Sequence, residues 1–412
     1  MSLIVQKYGG TSVADVDRIR NVAARVAEIQ KQGHQVVVCV SAMSGETNKL
    51  DALAREISGN AEPNPREFDA LLSTGEQKTI ALLAMAIQAL GVPARSFTGG
   101  QMGMETDSSH TRARIQRIQT DRLRAHLDEG AVCVIAGFQG VDSGGNITTL
   151  GRGGSDTSAV AVAAALGADV CEIYTDVDGV YTADPRVAEN ARKLSKISFE
   201  EMLELASLGA KVLQTRSVKF AMRYAVPLHV RSSFKSDDGT WIVPEEDVME
   251  RLVVSGVTSN VNEAKIRLRN VPDQPGIAVR VFTPLGEAGI VVDMIVQNFA
   301  NDGTTDMTFT VPRADYARAL AIAQQVGEAL NCAAVEGDDQ IAKVSIVGLG
   351  MKDHAGVATR MFDVLATENI NIQMISTSEI KISVVIEEER AEVAVRALHA
   401  ALVDEAPASP GA

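Results

Sequence analysis

The stretch Gly151-Arg152-Gly153-Gly154-Ser155-Asp156-Thr157-Ser158 lies between two apolar segments of different character. It follows residues 147–150, which predict a strand, and precedes an alanine- and valine-rich run that predicts a helix. A glycine-rich turn from a strand into a helix leaves backbone N–H groups unpaired at the positive end of the helix dipole, where an anion can bind. Arg152 adds a planar bidentate donor, and Ser155 or Asp156 is a candidate helix cap. Taken alone, the motif is equally compatible with a tight turn that requires small residues.

The composition of the chain excludes several classes of protein. Its 412 residues predict two to three domains, and its formal charge of −14 argues against general binding to nucleic acid or to anionic membranes. No apolar run approaches the ~20 residues of a membrane span, and the N-terminal residues do not resemble a signal peptide. The four cysteines are far apart, which indicates buried thiols in a reducing, cytoplasmic compartment. Neither cysteines nor histidines show metal-ligand spacing, so no metal site built from protein side chains is predicted.

The N-terminal residues predict a strand, a glycine loop and a helix. Residues 3–5 form an apolar strand, residues 7–13 read Lys-Tyr-Gly-Gly-Thr-Ser-Val, and a helical pattern precedes a second apolar strand at residues 36–40. This order is typical of a parallel sheet covered by helices. The loop is neither a Walker A nor a GxGxxG motif, yet its glycines let the backbone approach a phosphate and Lys7 adds a point charge. The alternative is a surface lysine at a strand end.

Several further elements are predicted from composition and periodicity. Residues 50–66 are polar and predict a loop, and Glu76 is expected to open an apolar helix. A carboxylate at that position either stabilises the helix N-terminus or faces a substrate ammonium. Residues 112–128 predict a mainly helical segment, and residues 199–208 a helix after which Lys211 opens the next one.

The strand predicted at residues 170–176 ends in Thr175-Asp176 and runs into a structured loop. That loop carries Tyr181 and Arg186 together with several carboxylates. Such residues at the carboxyl end of a strand suit contacts to a purine and a ribose. An EF-hand is excluded because the ligand spacing and the closing Glu are missing.

Five motifs occur in a fixed order in the first half of the chain: KYGGTSV at 7–13, STGE at 73–76, GRGGSDTS at 151–158, YTDVDGVYTADPR at 174–186 and GAKVLQTRSV at 209–218. Together they resemble the amino acid kinase fold, and specifically the aspartate kinases. The resemblance implies an α/β catalytic domain over residues 1–245, with a mostly parallel sheet sandwiched by helices. It also implies ATP with Mg²⁺ as the phosphoryl donor and L-aspartate as the acceptor.

The resemblance assigns roles to individual residues. Lys7, Gly9 and Gly10 are expected to hold the transferred phosphate with Lys211 opposite, and Asp156 to orient the two lysines. Arg152 is expected to clamp the substrate α-carboxylate and Glu76 its α-ammonium group. The other residues implied at the site are Ser41, Thr47, Gly153, Gly154 and Ser155 beside aspartate, and Tyr8, Thr175, Asp176, Tyr181 and Arg186 beside ATP.

The second half contains a repeat. Asp273-Gln-Pro-Gly-Ile-Ala matches Asp353-His-Ala-Gly-Val-Ala, and further matched positions are also 80 residues apart. Each copy predicts a strand, a helix, two strands and a helix, which is a ferredoxin-like unit. The predicted boundaries are a connector at 246–263 with one strand at 251–257, repeats at 264–338 and 339–404, and a flexible tail at 405–412.

The repeat resembles the paired βαββαβ ACT domains of regulated aspartate kinases. The resemblance implies feedback inhibition by lysine, threonine or both, a homo-oligomer formed through these domains, and a separately made regulatory subunit that starts near Met249. The effector is expected to border Asp273, Gly276, Ile277, Ala278, Gln297 and Asn298, with Asn371 and Ile372 contributed by the facing copy. The alternative is that the two glycines serve only the strand-to-helix turns.

Two other functions remain compatible with the sequence. One is a different amino acid kinase, acting on glutamate, acetylglutamate or carbamate, against which the paired repeats and the GRGGSDTS wording argue. The other is a catalytically silent amino acid sensor, against which the intact Lys7, Asp156 and Lys211 argue.

Overall fold

The computed structural model describes residues 1–210, 212–248, 253–299 and 303–404. The chain divides into two compact units, of which the first comprises Met1–Val180, Lys193–Ala206 and Lys211–Met249. The second comprises Tyr181–Arg192, Ser207–Ala210 and Glu250–Ala412. Three predictions lie outside the described residues: the role of Lys211, an internal start at Met249, and the tail at 405–412.

The first unit is built on strands and helices that alternate along the chain. Its strands are β1 (Leu3–Tyr8), β2 (Gln35–Val40), β3 (Ala94–Phe97), β4 (Met104–Thr106), β5 (Ile115–Ile118), β6 (Val132–Ala136), β7 (Gln139–Val141), β8 (Ile147–Thr149), β9 (Val170–Thr175), β10 (Lys196–Ser198), β11 (Leu228–Ser232) and β12 (Thr240–Val243). The helices of this half of the chain are α1 (Val16–Lys31), α2 (Glu46–Ser58), α3 (Pro65–Gln88), α4 (Asp121–Asp128), α5 (Gly154–Leu166), α6 (Phe199–Ser207) and α7 (Thr215–Tyr224).

The main sheet of this unit has eight strands in the order β10-β12-β11-β9-β1-β2-β6-β3. All neighbouring pairs run parallel except β11 and β12. Because β1, β2 and β9 are parallel neighbours, their carboxyl ends meet at one edge, which is where ligands bind in open α/β sheets. A second sheet has the order β5-β4-β7-β8. The expected α/β fold with a mostly parallel sheet is therefore confirmed.

Helix α5 lies against this sheet and is buried on nearly every side. Its alanine, valine and serine side chains are short, so the helix packs closely on β1, β2 and α7. A helix that is apolar around its whole circumference is typical of a buried core position. The close packing places the N-terminus of α5 at the carboxyl edge of the sheet.

Three local predictions in this unit are wrong. Residues 50–66 are not a loop, because α2 occupies Glu46–Ser58 with only Ala54 buried, and its polar composition is that of a solvated helix. Helix α3 begins at Pro65 with Asn64 as its N-cap, so Glu76 lies in the middle of a helix and does not open one. The segment 112–128 contains β5, paired antiparallel with β4, and only the eight-residue α4.

The second unit has a six-stranded sheet in the order β14-β15-β13-β16-β18-β17, antiparallel throughout. Its elements are β13 (Gly256–Pro272), α8 (Ile277–Glu287), β14 (Ile295–Phe299), β15 (Thr304–Pro312), α9 (Tyr316–Ala329), β16 (Ala334–Val347), α10 (Val357–Thr367), β17 (Met374–Thr377), β18 (Lys381–Glu387) and α11 (Ala391–His399). In this part of the chain both copies of the predicted strand-helix-strand-strand-helix order are present.

The two repeats are nested rather than consecutive. The second part of β13 pairs with β15 and with the first part of β16, which completes the first ferredoxin-like unit. Residues 256–260 at the start of β13 pair with residues 343–347 at the end of β16 and so supply the fourth strand of the second unit. The predicted connector strand thus begins at Gly256, five residues later than expected, and belongs to the repeat that follows it at a distance.

The segment Tyr181–Arg192 groups with the second unit although the chain before and after it belongs to the first. Ala183 and Ala188 are buried in the core of the second repeat, and the Val257 N–H donates to the Thr182 carbonyl at 2.8 Å. The Thr182 hydroxyl lies 2.7 Å from the buried Nε2 of His399 on α11. The loop predicted at 177–186 is therefore divided between the two units after Val180.

No helix of the described residues is long and apolar enough to cross a membrane.

The nesting of the repeats makes a prediction about residue Val257. Its side chain is 1 % exposed in the second core, whereas Val261 on the same strand is 37 % exposed. Because Val257→Asp buries an unpaired charge, we expect it to destabilise the second unit by at least ~3 kcal/mol, measured by urea unfolding at pH 7. Val261→Asp is the matched control and is expected to unfold like the parent chain. Equal effects of the two substitutions would show that residues 256–260 are a mere connector.

Candidate active site

Lys7 and Asp156 meet at the carboxyl edge of the main sheet. Lys7 lies on β1 between Cys39 of β2 and Ile173 of β9, and its Nζ is 2.5 Å from Oδ1 of Asp156. The two side chains are only 12 % and 10 % exposed. Asp156 lies in the first turn of α5, where the helix dipole favours a carboxylate. The structure thus brings together two residues predicted to act in catalysis.

The glycine loop after β1 is closely packed against the loop after β2. Gly10 begins a 3₁₀ turn, and a Cβ atom on this residue would lie 3.0 Å from the Ala42 carbonyl oxygen. A Cβ atom on Gly9 would lie 3.3 Å from Lys7 Nζ. Both glycines therefore border the lysine ammonium with bare backbone, as a phosphate site requires. Tyr8 differs, because its side chain is fully buried and stacked on Tyr174, so only its main chain can face a nucleotide.

The turn that carries Arg152 needs glycine at several positions. Gly151 and Gly153 have φ angles of +76° and +71°, in the left-handed region. A Cβ atom on Gly153 would lie 1.9 Å from Cγ of Gln214, and one on Gly154 would lie 2.9 Å from the Phe138 ring. The side chain of Arg152 is exposed on this turn.

The prediction that Ser155 or Asp156 caps α5 is wrong. The N-cap is Gly153, and no side chain accepts a hydrogen bond from the first amides of the helix. Ser155 is instead buried, and a Cβ atom on Gly137 would lie 2.8 Å from its Cβ. The uncapped helix N-terminus retains its anion-binding character.

Glu76 is a buried carboxylate with one satisfied oxygen. Its Oε1 accepts the Ala42 N–H at 2.9 Å, while Oε2 has no hydrogen-bond partner among the described residues. Gly75 permits this approach, because a Cβ atom there would lie 2.8 Å from Cβ of Ala42. Burial raises the pKa of Glu76 to about 7, against the lowering effect of the Ala42 amide. A ligand ammonium group would supply the missing donor.

The other residues predicted beside aspartate lie on the elements around Glu76. Ser41 precedes Ala42, and its N–H donates to the Tyr8 carbonyl at 3.1 Å. Thr47 lies in the first turn of α2. Their contacts to a substrate stay predictions.

The residues predicted beside ATP are distributed over the chain. Thr175 ends β9, next to β1, and its hydroxyl donates to Asp176 at 3.1 Å. Tyr181 and Arg186 belong to the second unit, where the exposed Arg186 forms an ion pair with Asp184 at 2.7 Å. The roles of these four residues, like that of Lys211 outside the described residues, stay predictions.

The predicted effector residues lie at two turns and at both edges of the second sheet. Gly276 and Gly356 have φ angles of +88° and +95°, and each is the N-cap of a helix whose first amides no side chain caps. Asp273 and Ala278 are exposed, whereas Ile277 is 4 % exposed and packs in the core of the first repeat.

Gln297 and Asn298 lie on edge strand β14, and Asn371 and Ile372 precede the opposite edge strand β17. Five strand spacings, about 24 Å, separate these edges within one chain. The two pairs can therefore border one ligand only if Asn371 and Ile372 come from a second chain.

A buried carboxylate that the sequence did not indicate organises the turn from the other side. Asp69 on α3 is fully buried and accepts the Thr149 hydroxyl at 2.5 Å and the Thr111 N–H at 3.0 Å. His110 Nδ1 lies 2.8 Å from its Oδ2. A Cβ atom on Gly151 would lie 3.1 Å from the Thr111 carbonyl oxygen, so Asp69 holds this loop against the glycine turn. No local pattern marks Asp69, because its partners are distant in sequence.

Arg216, within the motif GAKVLQTRSV, also positions the glycine turn. Its two terminal nitrogens donate to the carbonyl oxygens of Leu150 and Ala113, each at 3.0 Å. The motif was visible in the sequence, but this function of its arginine was not.

Comparisons with known proteins agree with this geometry. The profile of the amino acid kinase family matches residues 2–232, and the ACT domain profile matches residues 269–326 and 344–402. The chain is 59 % identical to an aspartate kinase of Pseudomonas fluorescens, covering 100 % of both chains. It is 52 % identical to an aspartokinase of Corynebacterium glutamicum, covering 97 % of this chain and 96 % of that one.

Solved structures show the same similarity. The structure of E. coli aspartokinase III in complex with aspartate and ADP has a TM-score of 0.80 and 28 % identity, covering 97 % of this chain and 99 % of that one. The same enzyme in complex with lysine and aspartate has a TM-score of 0.75 at the same identity and coverage.

Glu76 predicts a pH dependence of stability. Its carboxyl pKa is about 7 in the fold and 4.5 in the absence of perturbation, so between these values the folded chain holds a proton that the unfolded chain releases. Unfolding free energy of the ligand-free chain should therefore fall as pH rises from 4.5 to 7, by on the order of 2–3 kcal/mol. We expect Glu76→Gln to remove this loss in urea unfolding between pH 5 and 8. Glu67→Gln, at an exposed position of α3, is the control, and an unchanged pH slope in Glu76→Gln would contradict the assignment.

Proposed function

Because the chain belongs to the amino acid kinase family, and within it to the aspartate kinases, we propose that it transfers the γ-phosphoryl group of ATP to the β-carboxylate of L-aspartate. The products are 4-phospho-L-aspartate and ADP, which is the first step towards lysine, threonine and methionine. The observation that carries the proposal is the buried ion pair of Lys7 with Asp156 at the uncapped N-terminus of α5. We further propose that the enzyme acts in the cytoplasm.

The acceptor in this reaction needs no general base. An aspartate side chain has a pKa of ~4 and is already ionised at neutral pH. Catalysis then consists of aligning two anionic reactants and neutralising charge on the phosphoryl group as it moves between oxygens. The Lys7 ammonium, the bare backbone of Gly9 and Gly10 and the N-terminus of α5 are positive groups suited to this task. Asp156 holds the ammonium at the sheet edge.

Residues around this edge fit a Mg²⁺-bound triphosphate. Glycine backbone that no side chain obstructs borders the lysine ammonium, which a carboxylate holds at 2.5 Å. Mg²⁺ bound to the β- and γ-phosphates supplies further neutralisation of charge. Among the described residues no group of three His, Cys, Asp or Glu side chains could hold a metal ion, so we propose that the nucleotide carries it. Thr175 and Asp176, with Tyr181, Arg186 and Lys211, are proposed to bind the remainder of ATP.

The substrate side offers two opposite charges for an amino acid. Oε2 of Glu76 is buried without a partner, and Arg152 is exposed on the glycine turn. We assign the α-ammonium group to Glu76 and the α-carboxylate to Arg152. Binding an ammonium would lower the raised pKa of Glu76, so the carboxyl ionises as the substrate enters. Ser41, Thr47 and the backbone of residues 153–155 would border the rest of the molecule.

Regulation by end-product amino acids is proposed for the second unit. The uncapped helix N-terminus at Gly276 suits an effector carboxylate, with Asp273 placed for its ammonium group. Gln297 and Asn298 lie on an edge strand that can meet Asn371 and Ile372 of a second chain. We therefore propose a homo-oligomer formed through the ACT domains, inhibited by lysine, threonine or both.

Lys7→Ala tests the catalytic assignment. Loss of the ammonium from the phosphate site should lower kcat by about 10²–10³-fold, as measured by ADP release with saturating ATP and L-aspartate. The exposed Lys31→Ala is the matched control and is expected to retain full activity. Near-normal kcat in Lys7→Ala would contradict the assignment. A parent chain that binds effectors but releases no ADP would identify a silent sensor, and a hydroxamate-trapping panel of acceptors would reveal a different amino acid kinase.

Asp273→Ala tests the regulatory assignment. In the absence of effector we expect unchanged kcat, because Asp273 is exposed in the second unit. The effector concentration for half-inhibition should rise at least tenfold, since a charge-assisted contact is lost; this corresponds to roughly 1.4 kcal/mol. ADP release is measured with lysine, threonine and both. Glu287→Ala, at the other end of α8, is the control, and unaltered inhibition in Asp273→Ala would place the effector elsewhere.

A further inference from the structure

A cavity of about 310 Å³ opens between α1 and the segment that follows β11 in the first unit. Ser12 precedes α1, Ser233 and Phe234 follow β11, and the other lining residues are Arg18, Asn21, Val22 and Arg25 of α1. None of these residues has a role in the predicted kinase site. The cavity is therefore a candidate for a separate ligand.

Two guanidinium groups face this cavity without carboxylate partners. Arg18 and Arg25 are seven residues apart on α1 and so lie on the same face of the helix. Arg18 stacks on the Phe234 ring at 4.1 Å, and Arg25 lies 4.7 Å from the centre of the Tyr174 ring. Throughout 1–210, 212–248, 253–299 and 303–404, neither arginine forms an ion pair with Asp or Glu. Their faces rest on aromatic rings, which leaves donor edges for an anion.

Neutral donors complete the site. The hydroxyls of Ser12 and Ser233 lie 2.5 Å apart at the cavity wall, and Arg25 donates to the Ser233 carbonyl at 3.3 Å. Asn21 adds an exposed amide, and Phe234 is 46 % exposed. Two guanidinium groups with hydroxyl donors match the oxygens of a phosphate, and the aromatic and valine surface matches a small organic group. We propose that this cavity binds a small organic phosphate.

The proposed site is distinct from the Lys7–Asp156 site. Successive side chains of a strand point to opposite faces of the sheet. Lys7 points to the face covered by α5, where it meets Asp156, while Tyr8 points to the face where it packs in a core with Val22 and Val26 of α1. The cavity beside α1 is thus on the other face of the sheet from the lysine.

The cavity is nevertheless bonded to both loops of the proposed nucleotide site. Ser12 lies in the 3₁₀ turn that begins at Gly10, and its N–H donates to the Gly9 carbonyl at 2.9 Å. The Ser233 N–H donates to the Thr175 carbonyl at 2.8 Å. A phosphate held by the two serines would stiffen both loops at once, so the bound ligand would alter the KM for ATP. This second consequence rests on the proposed kinase function, whereas the binding itself does not.

Calorimetric titration of the full chain tests the binding. ADP is titrated first, and the ADP-saturated chain is then titrated with glycerol 3-phosphate, inorganic phosphate or succinate in low-salt buffer. We expect one additional site for glycerol 3-phosphate, weaker binding of inorganic phosphate and none of succinate. No heat beyond that of ADP, or binding of succinate alone, would overturn the proposal.

Substitutions on α1 locate the site. The double variant Arg18→Gln with Arg25→Gln should weaken glycerol 3-phosphate binding at least tenfold while ADP binding and the circular dichroism spectrum stay unchanged. Arg20→Gln, at an exposed position of α1 paired with Asp17, is the matched control and should bind like the parent. Retained binding in the double variant would overturn the assignment. Failure of the parent to bind ADP would count against the kinase proposal and not against this site, which the double variant tests independently.

Discussion

The ion pair between Lys7 and Asp156 is the interaction on which the catalytic unit depends. Each side chain is about nine-tenths buried, so losing one partner would leave an uncompensated charge in the interior, at a cost of about 3–5 kcal/mol. The pair joins the end of β1 to the first turn of α5. This bond draws the glycine loop at Gly9 and the turn at Gly153 to the same edge of the sheet. An ammonium held in this way is oriented before any phosphate arrives.

Two carboxylates of α3 show how one helix serves both structure and function. Asp69 and Glu76 are seven residues apart and lie on the same buried face. Asp69 is surrounded by the donors of Thr111 and Thr149 and by His110, and holds the loop beside the glycine turn. Glu76 has one amide donor and one orphan oxygen, and burial raises its pKa to about 7. Satisfied groups rigidify a site, whereas an unsatisfied buried oxygen marks the place of a missing donor.

The path of the chain ties the second unit to the first. The segment Tyr181–Arg192 leaves the first unit after Val180, packs in the core of the second repeat and returns. Its Thr182 contacts His399, a neutral histidine whose pKa burial lowers. A change in the second unit can therefore reach the residues that follow β9 through the covalent chain. An allosteric mechanism requires two states with different ligand contacts, and this segment is an element that both units would bias.

By itself the sequence determined the local elements: the glycine turns at 9–10 and 151–154, the strand-loop-helix order and the repeat of 80 residues. These follow from φ angles and periodicities that neighbouring residues impose. Tertiary structure alone decided that Lys7 meets Asp156, that Asp69 anchors a distant loop, and that residues 256–260 complete the second repeat. Polar α2 was misjudged for the same reason, since a helix with one buried residue has little apolar periodicity. Which distant edges and charges pair depends on burying whole faces at once, and no short stretch of sequence contains that information.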